Sequence, residues 1–407
     1  MSFIRDNIVK ILFGIIALVI IIVIAVACSH RPQTVNTDTG YQEMENKLQS
    51  AAIKLTSKNK TLLPKVINDT KKIRISTLIE NNYLPEFHAQ EDRNVKCTGY
   101  VDIIKKYEDQ EDYRFTPYIK CGKYYETKTI GEHIIENEPL VTNTQGLVQV
   151  EVKKDVQPNE ENKDEKYYSY YFKGEYPNNY LVLGERLYRI IEITEDGNLK
   201  VISTNRTGGS YIWDNRFNTE KQRYDGINEF DKSRIKQNLE FLYGNTSEDA
   251  GEIYFSDLEK EYIVEHDFCV GKRASSDKSI SYNSECSVTE SMYVGLISIA
   301  DYYRVSTSKY CDQVGKSECN NYNYLFSLDP GRDITLLTLT GNSDNTYEVY
   351  MIYYGQLQTK KASTSKRLFP VIYLDKNIIY KSGDGSAKNP YYVRWFDYGI
   401  NITRKRI

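Results

Sequence analysis

The sequence has little of what most active sites and nucleic-acid surfaces are built from. Its 407 residues include 4 histidines and 2 tryptophans, and 53 basic against 56 acidic residues leave a formal net charge of −3. A nucleic-acid-binding protein usually has a basic face and a high pI, so this near balance argues against a nucleic-acid partner. A catalytic cysteine would need a histidine partner, and few histidines are present.

Closely spaced cysteines are also absent. The shortest spacing among the 7 cysteines leaves seven residues between Cys311 and Cys319, whereas zinc sites use much closer pairs. His266 stands near Cys269, but we interpret this segment as the end of a helix entering a loop. The sequence therefore predicts no metal site, no cofactor and no catalytic residue.

One long hydrophobic run stands at the N-terminus, at residues 11–27, with 17 residues and no charge. A helix rises about 1.5 Å per residue, so the run reaches roughly 26 Å against a bilayer core of about 30 Å. Arg5 and Lys10 precede it, and the positive-inside rule places residues 1–10 in the cytoplasm. We predict a cell-membrane protein that crosses the membrane once at residues 11–28, with its C-terminal bulk outside.

Cys28 directly follows this run, after Ala25, Val26 and Ala27. Small residues before a cysteine at the end of an apolar run resemble a bacterial lipoprotein signal, in which the cysteine is lipidated and becomes the new N-terminus. That family prefers leucine where this sequence has Ala25. An uncleaved membrane anchor is the favoured prediction, and a lipidated Cys28 is the alternative.

The six remaining cysteines predict disulfides, because an even number outside the membrane is typical of an oxidising compartment. Two strands joined near Asp109 would pair positions whose numbers sum to about 218, as those of Cys97 and Cys121 do. The other four are expected to pair by proximity, as Cys269–Cys286 and Cys311–Cys319. The crossed pairing of these four stays open.

Residues 41–135 predict a small α+β domain. Apolar residues at helical spacing indicate an amphipathic helix over 41–59. Thr77 and Glu80 have the spacing of a capping box that opens a second helix, and the cysteine hairpin follows. An apolar segment, a helix and then a small antiparallel sheet resemble the architecture of pilins and pseudopilins.

Residues 151–166 contain six acids and four bases with almost no apolar residue, which predicts a solvated linker. A charged hairpin inside one domain is the alternative. From 167 to 396 the pattern changes to strands, with Asp196-Gly197 as a strong hairpin signal. Helices are predicted within this region at 229–243 and 257–265. Strands with inserted helices indicate an α+β domain, and a basic tail at 397–407 ends the chain.

Three segments of this region carry a family resemblance: LTLTGNSDNTY at 337–347, SKRLFPVIYL at 365–374 and GDGSAKNPY at 383–391. They are similar to an uncharacterised domain of surface proteins in low-GC Gram-positive bacteria. Those domains in turn resemble the C-type-lectin-like fold shared with formylglycine-generating sulfatase-modifying factors. The resemblance covers roughly 167–395 and implies a scaffold that often binds proteins or glycans through its loops.

The sequence also departs from those families. It has no close cysteine pair like the one with which sulfatase-modifying enzymes bind copper. Calcium-dependent lectins carry a late Trp-Asn-Asp, whereas this chain has Trp213-Asp214-Asn215 early in the domain and in another order. The resemblance therefore transfers no catalytic or calcium-binding residue.

We expect a binding module for a cell-wall glycan or a surface protein rather than an enzyme. Tyr211, Trp213 and Arg216 form one candidate contact cluster, because aromatic and arginine residues dominate binding hot spots. Packing of Trp213 in the core beside the Gly208-Gly209 turn is the favoured alternative for this residue.

Two other function classes stay open. One is a pseudopilin-like structural or assembly component, in which residues 29–130 act. The other is a hydrolase of a cell-surface polymer, for which Asp225 with Glu229 or Asp231 would be an example of paired carboxylates.

Overall fold

A computed structural model describes residues 37–67, 69–105, 113–152, 166–244, 255–328 and 335–396. The chain divides between Glu126 and Thr127 into two compact units, here unit 1 and unit 2, each with its own hydrophobic core. The predicted membrane segment with Cys28, and the basic tail, lie outside the described residues. Among the residues described, none of the helices has the length and apolar character that crossing a membrane requires.

Unit 1 consists of a long helix, a short helix and an antiparallel sheet of four strands in sequence order. The elements are α1 (Thr37–Lys58), β1 (Thr70–Arg74), α2 (Ile75–Glu80), β2 (Thr98–Lys105), β3 (Tyr113–Cys121) and β4 (Tyr125–Glu126). Helix α1 confirms the amphipathic helix predicted over 41–59, because Leu48, Ala51 and Ala52 are buried in the core.

The cysteine hairpin has the predicted register. Thr98 pairs with Lys120, so paired positions sum to 218 along the ladder. Just beyond that pair, the structure joins Cys97 to Cys121 in a disulfide. The hairpin argument from the sequence is therefore confirmed.

The capping box predicted at Thr77 and Glu80 is wrong. Strand β1 runs directly into α2, whose N-cap is Arg74 in an extended conformation with no side-chain cap hydrogen bond. Thr77 lies inside the helix, where its carbonyl oxygen accepts a hydrogen bond from the backbone N–H of Asn81. Because the chain enters the helix straight from a strand, the helix begins before the capping residues that the sequence indicated.

Unit 2 contains four helices and eighteen strands among its described residues. The helices are α3 (Ile130–Asn137), α4 (Arg234–Gly244), α5 (Asp257–Lys260) and α6 (Ile299–Arg304). The strands are β5 (Gly146–Val152), β6 (Tyr167–Lys173), β7 (Tyr180–Leu183), β8 (Arg186–Ile193), β9 (Leu199–Ser203), β10 (Tyr211–Ile212), β11 (Ile263–Val264), β12 (His266–Cys269), β13 (Lys272–Arg273), β14 (Thr289–Met292), β15 (Val294–Gly295), β16 (Thr335–Asn342), β17 (Glu348–Tyr353), β18 (Gln356–Lys361), β19 (Ser365–Lys366), β20 (Val371–Leu374), β21 (Tyr380–Ser382) and β22 (Tyr391–Val393).

The largest sheet of unit 2 has ten strands, with the order β11-β20-β9-β8-β7-β22-β21 along its main path. The predicted hairpin at Asp196-Gly197 joins β8 and β9 in its middle, with Gly197 at φ 86° as such a turn requires. Smaller sheets are β10-β19, β12-β14 and β13-β16-β17-β18. Strands with few helices show the α+β class that the sequence predicts.

The boundary between the units differs from the predicted linker at 151–166. Strand β5 pairs with β6 from Gly146 with Lys173 to Val152 with Tyr167, so strands on both sides of the charged segment belong to one sheet. Helix α3, assigned from sequence to the first domain, contributes Ile130 to the core of unit 2. A highly charged sequence indicates exposure to solvent. The connection of a β-hairpin is as exposed as a linker between domains, so charge alone does not distinguish the two.

Local predictions in unit 2 had mixed outcomes. Helix α4 buries the predicted face, but α5 ends early because β11 pairs with β20. His266 is in strand β12 rather than at a helix end, and its ring stacks on Tyr373 at 3.7 Å between centroids. The two remaining disulfides, Cys269–Cys286 and Cys311–Cys319, join neighbours in the sequence as expected.

Candidate functional site

The 213–230 loop connects β10 to the approach of α4, and buried polar side chains fix its ends. Trp213 is fully buried and donates from Nε1 to the carbonyl oxygen of Thr338 at 3.2 Å. The buried carboxylate of Asp214 accepts the backbone N–H groups of Arg216 at 2.9 Å and Ile227 at 2.8 Å. One side chain therefore closes both ends of the loop.

Two buried asparagines hold the body of the loop. Asn218 donates from Nδ2 to the carbonyl oxygen of Gly226 at 2.9 Å and to Thr346 Oγ1 at 3.0 Å. Asn228 donates from Nδ2 to the carbonyl oxygens of Asn342 at 2.7 Å, at the end of β16, of Asn345 at 2.9 Å, in the turn, and of Glu348 at 2.7 Å, at the start of β17. The loop is thus tied by hydrogen bonds to the hairpin that β16 and β17 form.

Gly226 is required where the loop closes. Its φ is +85°, and a Cβ at this position would lie 2.5 Å from the carbonyl oxygen of Asp214. Any other residue would strain the backbone and push the two ends of the loop apart.

Two aromatic rings of the 213–230 loop are exposed to solvent. Phe217 is 43% exposed and Tyr224 is 72% exposed. Their ring centroids are 5.4 Å apart with an interplanar angle of 76°, an edge-to-face arrangement. Exposed rings cost hydration free energy, so an ordered exposed pair on a rigid loop is the kind of feature that ligand contacts use.

Polar side chains around the two rings already have partners. Lys221 Nζ lies 4.4 Å from the ring centroid of Tyr347, and Arg223 pairs with the buried carboxylate of Asp225 at 3.6 Å. Glu220 accepts a hydrogen bond from Thr346 Oγ1 at 2.6 Å. The rings therefore stand in a polar rim of mixed charge, as in many protein binding surfaces.

The three contact residues predicted from sequence lie at the start of this loop, but they do not form a contact surface. Trp213 has no exposed surface, so its interpretation as a core residue is the one the structure supports. Arg216 is half-buried, and its Nε donates to Asp214 Oδ2 at 2.8 Å. Tyr211 is half-buried in the short β10–β19 sheet.

Sequence reasoning missed Phe217 and Tyr224. The signal was present in FNTEKQRYDG at 217–226, where two aromatic residues stand in a run of polar and turn-forming residues. Aromatic residues without neighbouring apolar positions have no periodicity that would direct them into a core. Such isolation is a usable criterion for exposed contact residues.

The carboxylates considered for hydrolysis have separate cation partners. Asp225 is buried and pairs with Lys361 at 3.1 Å. Asp231 is exposed and lies 3.4 Å from Lys236. Glu229 is exposed and lies 3.9 Å from Arg216. Each of these carboxylates therefore neutralises a neighbouring cation.

A connected group of ionisable side chains lies inside unit 2, and we call it the ionic cluster: Glu192, Lys200, Tyr282, Asp301 and Arg304. Lys200 Nζ lies 2.6 Å from Asp301 Oδ2, and Arg304 Nη2 donates to Glu192 Oε2 at 2.6 Å. Tyr282 donates its hydroxyl to Asp301 Oδ1 at 2.8 Å. Its members come from β8, β9, α6 and a loop, so the cluster ties four segments together.

Asp301 and Lys200 of the ionic cluster each hold the charge of the other near neutral pH. Burial alone would raise the pKa of Asp301, but the charges of Lys200 and Arg304 reverse this and hold that pKa well below its usual range. Burial alone would lower the pKa of Lys200, and the charge of Asp301 outweighs it and raises that pKa. Groups held in this way do not exchange protons readily, which favours a structural role over acid–base catalysis.

Within the described part of the chain, no three or more His, Cys, Asp and Glu side chains are grouped so that they could hold a metal ion. All six cysteines of that part are joined in disulfides. Comparisons with protein-family models, with curated proteins and with solved structures gave no match for this chain.

Proposed function

We propose that this protein is a membrane-anchored extracytoplasmic binding module and that its target is a glycan of the cell envelope. The observation that carries the proposal is the exposed pair of Phe217 and Tyr224 on the 213–230 loop, whose shape is set by buried hydrogen bonds. A loop that is ordered before binding loses little conformational entropy when its ligand arrives.

The chemistry of this surface suits a sugar polymer. Aromatic rings pack against the apolar C–H faces of pyranose rings, and the phenol of Tyr224 adds a polar tip. Glu220, Lys221 and Arg223 are exposed, and besides their contacts within the protein they have further hydrogen-bonding capacity for sugar hydroxyls in the same ten-residue stretch. The C-type-lectin-like scaffold inferred from the sequence fits this use, because it presents ligand-binding loops on a rigid sheet.

The cysteines and the N-terminal sequence support the proposed extracytoplasmic location. Three disulfides are typical of the oxidising side of a membrane. The apolar run at 11–28 would anchor the chain there, either as an uncleaved span or through lipidated Cys28.

The test is co-sedimentation of the oxidised full chain with purified cell-wall sacculi, with and without calcium. We expect saturable binding that weakens when Phe217 and Tyr224 are both changed to alanine. Dependence on calcium would add a metal-assisted lectin site to the proposal. Absence of binding under both conditions would contradict the glycan target.

A second candidate is a pseudopilin-like assembly component, favoured by the long helix α1 packed on the small sheet of unit 1. Because the units divide at 126/127, the test is a chain that ends at Glu126. This truncated chain should still self-associate in membranes if unit 1 drives assembly. Complete loss of self-association would exclude this candidate.

A further inference from the structure

Two segments of unit 2 lie against each other and contain no charged residue. They are residues 320–323, with the sequence NNYN, and residues 353–358, with the sequence YYGQLQ. Asn320 Nδ2 lies 3.5 Å from the carbonyl oxygen of Tyr354. Gly355 packs on the same side chain, because a Cβ at this position would lie 2.0 Å from Asn320 Oδ1. In a chain of which 27% is Asp, Glu, Lys or Arg, these ten residues contribute no charge to the surface.

Buried hydrogen bonds hold the first of these segments in place. Asn323 donates from Nδ2 to the carbonyl oxygens of Tyr302 and Cys319, both at 2.9 Å. Asn320 Oδ1 accepts a hydrogen bond from the hydroxyl of Tyr302 at 2.9 Å. A disulfide to Cys311 fixes Cys319 directly before the segment. The segment is therefore ordered before any ligand binds.

Two tyrosines of these segments have backbone conformations that tyrosine rarely adopts. The φ angle is +54° at Tyr322 and +45° at Tyr354. Asparagine and glycine enter this left-handed region more readily than a bulky residue does. Tyr354 and Gly355 form the two-residue turn between β17 and β18, where both φ angles are positive and Asn-Gly is the favoured pair. The backbone at both tyrosines would therefore favour asparagine.

Packing in the fold does not account for the two tyrosine side chains either. Tyr322 is 59% exposed and Tyr354 is 48% exposed. The ring of Tyr354 contacts Tyr353 edge to face, with 4.7 Å between the centroids. The ring of Tyr322 stacks on no other aromatic ring in the part of unit 2 that the structure describes. Residues held in rare backbone conformations concentrate at sites that contact ligands, where the ligand rather than the fold requires the side chain.

The exposed side chains of the two segments suit a neutral sugar. They are Asn321, Tyr322, Tyr354 and Gln356, and we call them the tyrosine–amide surface. A tyrosine ring packs on the C–H face of a sugar, and its hydroxyl adds a polar contact. Each side-chain amide offers N–H donors and a C=O acceptor, which complement the hydroxyl and N-acetyl groups of a sugar. A charged ligand would find no counter-charge in these segments.

We propose that the tyrosine–amide surface is a second sugar-binding site, which takes an uncharged, N-acetylated stretch of a sugar chain. The proposal rests on the proposed binding function, and it names the substrate class. The 213–230 loop carries mixed charges around its rings, whereas this surface recognises its ligand through aromatic and amide groups alone.

The two sites are separate places on unit 2. Asn218 ties the 213–230 loop to Thr346, just before the first residue of β17, whereas Tyr354 directly follows the last residue of β17. The strand has six residues, and at about 3.4 Å per residue its ends are roughly 17 Å apart. A change in one site therefore leaves the other intact, and a sugar chain that reaches both would bind more tightly than one that fills either site alone.

The test is titration calorimetry of the full chain in detergent with the hexamer of N-acetylglucosamine. The chain carries Phe217→Ala with Tyr224→Ala, so that the 213–230 loop does not contribute. We expect saturable binding that changes little with salt, because the ligand carries no charge that salt could screen. The deacetylated hexamer has the same backbone, carries positive charges and lacks the N-acetyl groups. It should bind at least about tenfold more weakly, and equal affinity for the two hexamers would overturn the proposal.

The variant Tyr322→Asn with Tyr354→Asn separates a binding role from a structural one. Affinity for the hexamer should fall at least about tenfold. The unfolding temperature should rise by about 2 °C, because asparagine relieves the left-handed backbone. A purely structural role would give the opposite result, with a lower unfolding temperature and unchanged affinity. Unchanged affinity in the folded variant would overturn the proposal.

The matched control is Tyr176→Asn with Tyr310→Asn. These two tyrosines are also exposed, but their φ angles are not positive. The control should therefore keep its affinity and gain no stability. A loss of affinity equal to that of the Tyr322 and Tyr354 variant would overturn the proposal, because any exposed tyrosine would then have the same effect.

Asn321→Ala with Gln356→Ala removes the two amides and leaves both tyrosines in place. It keeps the test decisive if the tyrosine variant folds poorly in thermal unfolding. We expect weaker binding of the hexamer and an unchanged unfolding temperature, because both side chains are exposed. Full affinity in this variant would contradict recognition of the N-acetyl groups by the surface.

Failure of this proposal can be told apart from failure of the proposed function. If the unchanged chain sediments with sacculi but the chain without the two loop rings does not bind the hexamer, the second site is wrong and the binding module stands. If the unchanged chain binds neither sacculi nor the hexamer, both proposals fail. If the tyrosine variant weakens binding only to envelopes that still carry their proteins, the surface contacts a protein and the sugar assignment is overturned.

Discussion

The ionic cluster and the 213–230 loop lie in the same unit and use similar residues, but they differ in their access to solvent. Asp301 has no exposed side-chain surface, and Lys200 has 9%. In the loop, Asp214 is as buried as the cluster, whereas Tyr224 is 72% exposed. The difference teaches that residue type alone does not separate the buried ionic cluster from the surface that we propose for binding, and that solvent exposure does.

The ionic cluster can be broken by removing one charge. Asp301→Asn leaves the buried ammonium of Lys200 without its counter-charge, so the free energy of unfolding should fall by about 3–5 kcal/mol. Urea unfolding followed by circular dichroism measures this. The exposed acid Asp231→Asn is the matched control and should change stability by less than about 0.5 kcal/mol. Equal effects of the two variants would show that the cluster does not hold unit 2 together.

The disulfide Cys269–Cys286 gives a somewhat smaller effect in unit 2. It closes a chain segment with a sequence separation of 17 residues, and its removal by a double change to serine should cost about 3 kcal/mol. The measurement is urea unfolding under oxidising conditions, with the unchanged chain before and after reduction for comparison. A double variant as stable as the unchanged chain would mean that the bond adds no stability to its segment.

The pH dependence of stability sharpens the account of the ionic cluster. The pKa of Asp301 is depressed in the folded state, so its stabilisation is present above the unfolded pKa of about 3.9 and is lost as pH falls towards the folded pKa. The stability difference between the unchanged chain and Asp301→Asn should therefore shrink by about 2 kcal/mol between pH 5 and pH 2.

At alkaline pH the dependence of stability on pH has the opposite sign, because it comes from a cation. The pKa of Lys200 is raised in the folded state, so its contribution is fully present below the unfolded pKa of about 10.4 and is lost only as pH rises through the folded pKa. In the unchanged chain this contribution should therefore stay constant from pH 6 to pH 9. A stability difference between the unchanged chain and Asp301→Asn that stays constant in acid would contradict the assigned charges.

The sequence predicted the features that depend on local or strictly periodic signals. The register that places Cys97 opposite Cys121 follows from strand geometry alone, and the turn at Asp196-Gly197 follows from its residues. It did not predict that strands on both sides of 151–166 pair, because pairing depends on partners elsewhere in the sheet. The sequence analysis also placed Trp213 in the candidate site, because the type of a residue does not show whether it is buried.

The most direct test of the central claim compares two pairs of exposed aromatic residues in the sacculus assay. Phe217→Ala with Tyr224→Ala should lower affinity about tenfold, about 1.4 kcal/mol, because hot-spot rings dominate binding. The control changes Tyr176 and Tyr310, which are 71% and 59% exposed elsewhere in unit 2, to alanine. We predict that the control binds normally and that both variants keep their unfolding temperature. Equal affinity of the two variants would contradict the assignment of the 213–230 loop as the binding surface.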